Sequence, residues 1–312
     1  MPQGIPNVGL SCWLASAAQC LLRVPQLVRI LLTDALAGPP ILAACGCDER
    51  GADVARGASN AISHGAVSRE FADLARAYWR STNGHIPSNL TRRLLDSVVT
   101  YRPGSFAYDE PCDAHEAVIA ILEALHETFR ESKDVVEYSE APSEGLVRKD
   151  EWNAWNAASG LSMFTELFQV QILQKFGDEE TVVHDWGLCV NPRQNETAQQ
   201  VVVREFGGTG GEEVGGKKLT KTVVYAPPAL VVSCATGGLY PFGSSVLGVA
   251  GFRYELMAAA FHSGNHWTSM GKTPETSDHI YAYFDDETST GVTVLDPRIN
   301  KIAKFLVYRR VD

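Results

Sequence analysis

Cys12 has the surroundings of a catalytic nucleophile. It follows a polar segment that contains glycine, and after it apolar residues recur at helical spacing at Leu14, Ala17, Ala18, Leu21 and Leu22. This pattern predicts a helix that begins at Cys12. The unpaired N–H groups and the positive dipole end of a helix N-terminus favour a thiolate over a thiol. The side-chain amide of Asn7, five residues upstream, could stabilise the negative oxygen of a tetrahedral intermediate.

This segment has a second interpretation. A cysteine next to an aromatic residue at a helix start is more often a small buried apolar residue than a nucleophile. A catalytic thiolate also needs a base and a group that orients the base. The function of Cys12 therefore depends on whether the chain supplies both.

Residues near the end of the chain can supply them. If residues 257–269 and 279–285 pair as adjacent strands, the imidazole of His266 can face the carboxylate of Asp285. The carboxylate would then fix the tautomer of the ring and stabilise the imidazolium that partners the thiolate. Asp286 offers a second carboxylate at the same place.

Composition limits the possible classes of function. The 312 residues are 45% apolar and 21% charged, as in an ordinary globular protein. Apolar runs stay well short of the roughly 20 residues that span a bilayer, and the N-terminus does not resemble a secretion signal, so we expect a soluble protein with no membrane partner. The formal charge of −10 argues against nucleic acid as a partner. It fits a basic partner, and the alternative interpretation is that the negative charge only keeps the protein soluble.

The cysteines indicate reduced thiols in the cytosol. Their number, seven, is odd, and they are scattered without the spacing of a disulfide framework. The sequence contains neither a Cys-x-x-Cys pair nor a His-Glu-x-x-His motif, which argues against a structural zinc site and against zinc hydrolysis. We therefore expect no metal and no other cofactor.

The first half of the chain is predicted to be helical. Helices are predicted over 12–36 with a break at Pro25, over 68–80, over 90–99 and over 113–127. Residues 41–65 are predicted to be loop with short helical pieces. Asp113 has the type and position of an N-cap, with Glu116 three residues later. His115 and His126 of the same helix are predicted to be solvated or capping residues.

The second half is predicted to form strands. The segments are 182–183, 201–203, 222–225, 230–232, 246–261, 280–284, 291–295 and 302–308. The glycines between 207 and 216 predict a hairpin tip or mobile loop; a phosphate loop would need a Gly-Lys-Ser/Thr ending and a following helix. A helical half followed by an antiparallel β half is an α+β fold, the plan of papain-like cysteine proteases.

Several motifs resemble the catalytic domain of the ubiquitin-specific proteases. Residues 4–19 resemble the cysteine box of that family, Gly-Leu-x-Asn-x-Gly-Asn-Thr-Cys-Tyr-x-Asn-Ser-x-x-Gln, and residues 113–127 resemble its helix that begins Gln-Asp-Ala-x-Glu-Phe. Residues 155–168 look like the segment before the fingers, and 227–232 are similar to the Pro-Pro-x-Leu strand. Residues 262–267 with 283–286 resemble the histidine box. These blocks follow the order of the family from residue 4 to about residue 286.

The resemblance implies a division of the chain and a role for each site residue. It implies one catalytic domain with a helical thumb over 1–150, β fingers over 151–232 and an antiparallel β palm over 233–312. The implied roles are nucleophile for Cys12, general base for His266, orienting acid for Asp285, oxyanion donor for Asn7 and supporting polar residue for Asp286. The two adjacent acids can share or exchange roles in such enzymes.

The sequence also departs from the family pattern. Leu10 and Ala15 stand where the family has asparagine, and Cys112 stands where it has glutamine. The fingers lack the two Cys-x-x-Cys knuckles of the family, Cys189 being a lone remnant. We therefore expect the fingers to fold on β-pairing alone.

The implied activity is that of a cysteine isopeptidase. It would remove ubiquitin or a ubiquitin-like modifier from conjugates by cleaving after the C-terminal Gly-Gly, and it would work as a monomer in the cytoplasm, with the nucleus, or the host cytosol for a viral enzyme, as alternatives. Two other functions stay open from the sequence. One is a viral cysteine protease that processes a polyprotein at Gly-Gly-like sites, and the other is a catalytically inactive module that binds ubiquitin.

Overall fold

The fold is known for most of the chain. The computed structural model describes residues 4–32, 53–81, 85–130, 160, 162–208, 211–214, 217–241, 245–273, 280–286, 288–293 and 301–311. Residues 155–159 and 161 of the segment that resembles the one before the fingers lie outside these ranges. The chain forms two compact units, one of Met1–Phe129 with Ser263–Gly291 and the other of Arg130–His262 with Val292–Asp312.

Helices dominate the first half of the chain, as predicted. They are α1 (Cys12–Leu21), α2 (Pro25–Leu32), α3 (Asp53–Arg80), α4 (Ser88–Tyr101), α5 (Ala114–Phe129), α6 (Met163–Phe168) and α7 (Ala198–Phe206). Pro25 is the first residue of α2, a position where its missing N–H costs no hydrogen bond. All ten residues of α1 are buried, so this helix lies inside the first unit, packed on α5 and on a strand of the same unit.

The strands follow mainly in the second half. They are β1 (Val170–Phe176), β2 (Glu179–Asp185), β3 (Leu188–Val190), β4 (Glu212–Val214), β5 (Lys217–Tyr225), β6 (Ala229–Cys234), β7 (Val246–Val249), β8 (Phe252–Ser263), β9 (His266–Lys272), β10 (Ile280–Asp285), β11 (Thr288–Thr293) and β12 (Ala303–Arg310). The predicted α+β fold is therefore confirmed. None of the helices in the described part of the chain has the length and apolar content that a membrane span requires.

Two helical predictions need correction. The loop predicted for 41–65 is wrong from Asp53 onwards, because α3 begins there; residues 33–52 lie outside the described ranges. This segment is rich in alanine, which has the highest helix propensity, so a helix can form here without a stripe of apolar residues at helical spacing. Of the two alternatives for His126, solvated or capping, the solvated one is wrong, since the residue is only 7% exposed in the last turn of α5. The cap is confirmed: the Asp113 carboxylate accepts the backbone N–H of His115 at 2.6 Å.

In the first unit, β9 and β10 form the strand pair on which the histidine site depends. They pair antiparallel, with Tyr281 opposite Lys272 and Phe284 opposite Ser269. β11 pairs with β10 on the side away from β9 and is the edge strand of the sheet. The predicted single strand over 257–269 is wrong in one respect: β8 ends at Ser263, and β9 begins at His266 after a short turn. Gly264 occupies that turn at φ +61°, a conformation that glycine adopts at little cost.

The second unit contains a sheet in the order β2-β1-β5-β4 and a second group in which β12 pairs with both β6 and β8. The first sheet is the part predicted to form fingers without zinc knuckles. This sheet consists of two hairpins, β1–β2 and β4–β5, which are joined by the pairing of β1 with β5. In the turn of the first hairpin the backbone N–H of Gly177 lies 3.5 Å from the carbonyl oxygen of Lys218 in β5. The Lys217 ammonium lies 5.4 Å from the Phe176 ring centroid. Strand pairing and this contact join the two hairpins.

The strand predicted over 201–203 is wrong, because these valines belong to α7. A capping box begins this helix: Gln200 N–H donates to Thr197 Oγ1 at 3.3 Å, and Thr197 N–H donates to Gln200 Oε1 at 2.8 Å. Val201 and Val202 are buried while Val203 is 52% exposed, as on one face of a helix. The run of β-branched residues suggested a strand, and the Thr-x-x-Gln signal outweighed it.

Candidate active site

Cys12 is the first residue of α1, as the sequence predicted, and hydrogen bonds shape the turn before it. The Asn7 Oδ1 atom accepts hydrogen bonds from the Ser11 backbone N–H at 3.0 Å and from the Ser11 hydroxyl at 3.1 Å. The Ser11 hydroxyl oxygen in turn accepts the Val8 N–H at 2.9 Å. Because Oδ1 must face the Ser11 N–H donor, the orientation of the Asn7 amide is fixed, and its NH₂ group points away from Ser11.

His266 and Asp285 are paired. Their side chains meet with His266 Nε2 2.7 Å from Asp285 Oδ1. The register of β9 and β10 explains the contact. Because Phe284 lies opposite Ser269, the side chains of Asp285 and His266 are diagonal neighbours on the same face of the strand pair. The two side chains are 41% and 51% exposed, so solvent reaches the pair. Because Nε2 is held by the carboxylate, Nδ1 is the ring atom left to act on a thiol.

Two contacts bring this pair and the cysteine turn into one site. The Cys12 Sγ atom lies 3.9 Å from the carbonyl oxygen of Asn265, the residue before His266. The Asn7 Nδ2 atom lies 3.4 Å from Asp286 Oδ2. Asp286 has φ +50°, so the chain leaves the strand geometry directly after β10.

The electrostatics of Cys12 differ from the expectation based on its helix position. Burial raises the pKa of the Cys12 thiol, with a smaller contribution in the same direction from the Asp286 carboxylate. The backbone N–H groups of Trp267, Trp13 and Cys12 itself lower the pKa, as expected near a helix N-terminus, but burial outweighs them. The side chain is only 3% exposed. The raised pKa favours the thiol form of Cys12, and its Sγ atom faces the carbonyl oxygen of Asn265.

A small cavity of about 10 Å³ adjoins Cys12, with room for about one water molecule. Its wall includes Ala15 and Gln19 of α1, Ser269 of β9 and the Asp286 side chain. Ser269 is 1% exposed, and its hydroxyl has no hydrogen-bond partner among the described residues. Ala15 stands where the ubiquitin-specific protease motif has asparagine, and its short side chain leaves this cavity unfilled.

A buried arginine supports the far side of the site. The Arg23 guanidinium lies 5.4 Å from the ring centroid of Tyr78, 5.5 Å from that of Trp79 and 4.9 Å from that of Phe284. It also donates a hydrogen bond to the Tyr78 hydroxyl. A Cβ atom on Gly271 would lie 2.6 Å from the Arg23 side chain, so glycine leaves the space that this arginine fills. Phe284 directly precedes Asp285, which makes Arg23 a neighbour of strand β10.

Comparison with known proteins assigns the family of the chain. The family model described as ubiquitin carboxyl-terminal hydrolase matches residues 3–235. The chain belongs to this family. The match contains Asn7 and Cys12 and ends before His266, so the family assignment is independent of the histidine half of the site.

Known relatives agree with this assignment. Ubiquitin carboxyl-terminal hydrolase 12 of Saccharomyces cerevisiae is 27% identical over 161 residues, which are 51% of this chain and 11% of that protein. The chain thus matches about a tenth of the length of that curated relative. The SAGA Ubp8/Sgf11/Sus1/Sgf73 DUB module has a chain with 14% identity, a TM-score of 0.66 and coverage of 99% of this chain and 68% of its own. The same module bound to monoubiquitin has a chain with the same identity and TM-score, and the match covers 99% of this chain and 69% of that one. The papain-like fold is therefore confirmed for this chain.

Sequence reasoning missed three parts of the site. The carbonyl of Asn265 contacts the thiol through a backbone atom, which no motif identifies. Ser11 orients Asn7, and its position directly before the helix was the available signal. Arg23 gave no signal, because an arginine beside a helix end is usually solvated.

Proposed function

We propose that this protein is a thiol isopeptidase that removes ubiquitin or a ubiquitin-like modifier by cleaving after its C-terminal Gly-Gly. The observation that carries the proposal is the His266–Asp285 pair at 2.7 Å in the same compact unit as Cys12. Membership of the ubiquitin carboxyl-terminal hydrolase family supports it. So does the likeness to a DUB module described as bound to monoubiquitin and to ubiquitin aldehyde.

In the proposed reaction His266 takes the thiol proton from Cys12 through Nδ1, and the thiolate attacks the carbonyl carbon of the last glycine. Asp285 holds Nε2 and stabilises the imidazolium. His266 then protonates the leaving lysine amine, which leaves a thioester on Cys12. A water molecule that gives a proton to His266 hydrolyses the thioester and restores the thiol.

Asn7 is the proposed oxyanion donor. Its Oδ1 atom is fixed by Ser11, and one N–H of its NH₂ group points to Asp286. The second N–H is then available for the developing negative oxygen. Asp286 thus holds the amide in place, a supporting role distinct from that of Asp285.

For substrate binding we propose the thumb, fingers and palm division over 1–150, 151–232 and 233–312. A modifier gripped by fingers and palm would be recognised over a broad surface, so most of its binding energy would come from outside the scissile bond. The net charge of −10 suits a basic tail before the two glycines. We further propose a cytoplasmic monomer, which cell fractionation and light scattering would check.

A covalent probe tests the proposed function. The purified chain is incubated with ubiquitin that carries a C-terminal electrophile, in parallel with probes built on other ubiquitin-like modifiers, and labelling is followed by gel shift and mass spectrometry. We expect one adduct on Cys12, none with Cys12→Ala, and normal labelling with Cys189→Ala, whose thiol is exposed. Labelling of Cys12→Ala to the same extent would remove the proposal. Binding of ubiquitin without any adduct would instead support the inactive ubiquitin-binding module.

A further inference from the structure

Three side chains of the site form a cluster with the composition of a metal site. His266, Asp285 and Asp286 each offer one ligand atom, and these atoms lie within 4.8 Å of one another. We infer that this cluster binds one Zn²⁺ ion and that the bound ion inhibits the enzyme. The inference concerns metal binding, which does not depend on the proposed reaction; only the inhibition rests on the proposed function.

The backbone explains why two successive carboxylates converge. Side chains of successive strand residues point to opposite faces of a sheet, so Asp285 and Asp286 would diverge if β10 continued. Asp286 instead adopts φ +50° at the end of β10, which lets both carboxylates approach His266. The Asn7 amide holds Asp286 through Oδ2 at 3.4 Å. The fold therefore brings the three side chains close together, and an ion that binds would part the pair of His266 and Asp285.

The ligand types favour zinc over the hard cations. One imidazole nitrogen and two carboxylate oxygens match the nitrogen and oxygen ligands of Zn²⁺ at about 2.0–2.2 Å, and three protein ligands leave a fourth position for water. Ca²⁺ and Mg²⁺ prefer sites made of oxygen alone. The exposed fractions of His266 and Asp285, 41% and 51%, give an ion access from solvent. The negative net charge of the protein also favours a cation.

Zinc at this place would remove the base from catalysis. The distance of 2.7 Å between His266 Nε2 and Asp285 Oδ1 is a hydrogen bond that the ion would replace with two coordination bonds. Asp285 would then no longer stabilise an imidazolium, and a metal-bound His266 could not become one. The inhibition would be reversed by a chelator, since no covalent bond forms.

The test measures Zn²⁺ binding to the Cys12→Ala protein, because thiolates bind zinc in many cysteine enzymes and this variant excludes that explanation. Isothermal titration calorimetry and metal analysis after gel filtration give stoichiometry and affinity. We expect one Zn²⁺ per chain, and binding at least about tenfold weaker when Asp286→Asn or His266→Ala is added. Asp109→Asn, an exposed acid outside the cluster, should leave the affinity unchanged. Circular dichroism and thermal unfolding verify that each variant is folded.

Three outcomes would overturn the inference. They are no binding to folded Cys12→Ala protein, binding that Asp286→Asn does not weaken, and binding in the millimolar range only. In a second arm, Zn²⁺ should abolish cleavage of a fluorogenic ubiquitin conjugate, and a chelator should restore it. If the wild-type chain binds zinc at the cluster but cleaves no conjugate, the metal site stands and the proposed function fails, so the two results are distinguishable.

Discussion

The side-chain amide of Asn7 donates a hydrogen bond to the carboxylate of Asp286, with Nδ2 3.4 Å from Oδ2, across 279 residues of sequence. This contact joins the turn that presents Cys12 to the end of β10, where Asp285 holds His266. The amide is therefore set by two partners, Ser11 at its oxygen and Asp286 at its nitrogen. This arrangement suits the oxyanion role that we propose for Asn7, because a donor fixed before substrate arrives needs little reorganisation in the transition state.

Replacement of this amide should slow the chemical step. In Asn7→Ala we expect kcat for a fluorogenic ubiquitin conjugate to fall by about 10²–10³, with KM nearly unchanged, because the lost hydrogen bond forms only in the transition state. Steady-state kinetics measure both constants. Leu10→Ala, an exposed neighbour at 44%, is the matched control and should keep kcat within about threefold. A large rise in KM with kcat intact would contradict the assigned role.

The thiol of Cys12 should ionise only at high pH. Burial and, to a smaller extent, the Asp286 carboxylate raise its pKa, so at a given pH the thiolate fraction is smaller than that of an exposed cysteine. The rate of alkylation by iodoacetamide should therefore reach half of its maximum at a higher pH for Cys12 than for the thiol of free glutathione. Peptide mass spectrometry after timed alkylation follows Cys12, and the same reaction with glutathione gives the reference curve.

The Asp286→Asn variant separates the effect of burial on the pKa of Cys12 from the effect of the Asp286 charge. Removal of the negative charge should shift the midpoint for Cys12 to lower pH, while burial keeps the midpoint above that of free glutathione. A Cys12 midpoint that coincides with that of glutathione in the wild-type protein would show that burial does not control this thiol.

Much of the site followed from local sequence, because its parts lie at the ends of regular elements. The apolar spacing after Cys12 predicted where α1 begins, and strand alternation with one turn predicted that His266 would meet Asp285. The register of β9 and β10 needed only the apolar pattern of the two strands and a connection between them. These features depend on neighbours close in sequence or on a single strand pairing.

Other features depend on contacts that sequence patterns do not encode. The raised pKa of Cys12 results from how deeply α1 is buried, and a helix N-terminus alone would predict the opposite direction. Three successive valines predict a strand where α7 forms, because β-branched residues are typical of strands, and the capping box at its start is the local signal for the helix. The position of Arg23 among three rings depends on α3 and β10 at once, and both elements lie more than fifty residues further along the chain.

Arg23 should contribute to stability mainly through its stem and its planar head, which pack among aromatic rings. Arg23→Ala leaves a cavity and removes the ring contacts, so we expect a loss of about 3 kcal/mol in the free energy of unfolding. Arg23→Met fills much of the space and avoids burying a charge, so its loss should be about 1 kcal/mol. Urea titration followed by circular dichroism gives both values. Equal losses would mean that the charge, and not the packing, is what matters.

The cavity beside Cys12 should accept one polar atom and reject apolar bulk. Ala15→Ser adds a hydroxyl to a space of about 10 Å³ whose wall includes the Ser269 hydroxyl, which has no hydrogen-bond partner among the described residues. We expect the free energy of unfolding to rise by about 1 kcal/mol, the contribution of one new hydrogen bond. Ala15→Val adds two methyl groups against the same polar wall and should cost about 1–3 kcal/mol.

The double variant Ala15→Ser with Ser269→Ala decides whether the two hydroxyls meet. If they do, the stabilisation by serine at position 15 should vanish once Ser269 is gone, and a double-mutant cycle from urea titrations would give a coupling of about 1 kcal/mol. If Ala15→Ser stabilises the Ser269→Ala protein as much as the wild-type protein, the new hydroxyl bonds to Gln19 or Asp286 instead of Ser269. Because Asp286 lies in the same wall as Ser269, a changed kcat in Ala15→Ser with unchanged stability would be a sign that the filled cavity acts on the acid.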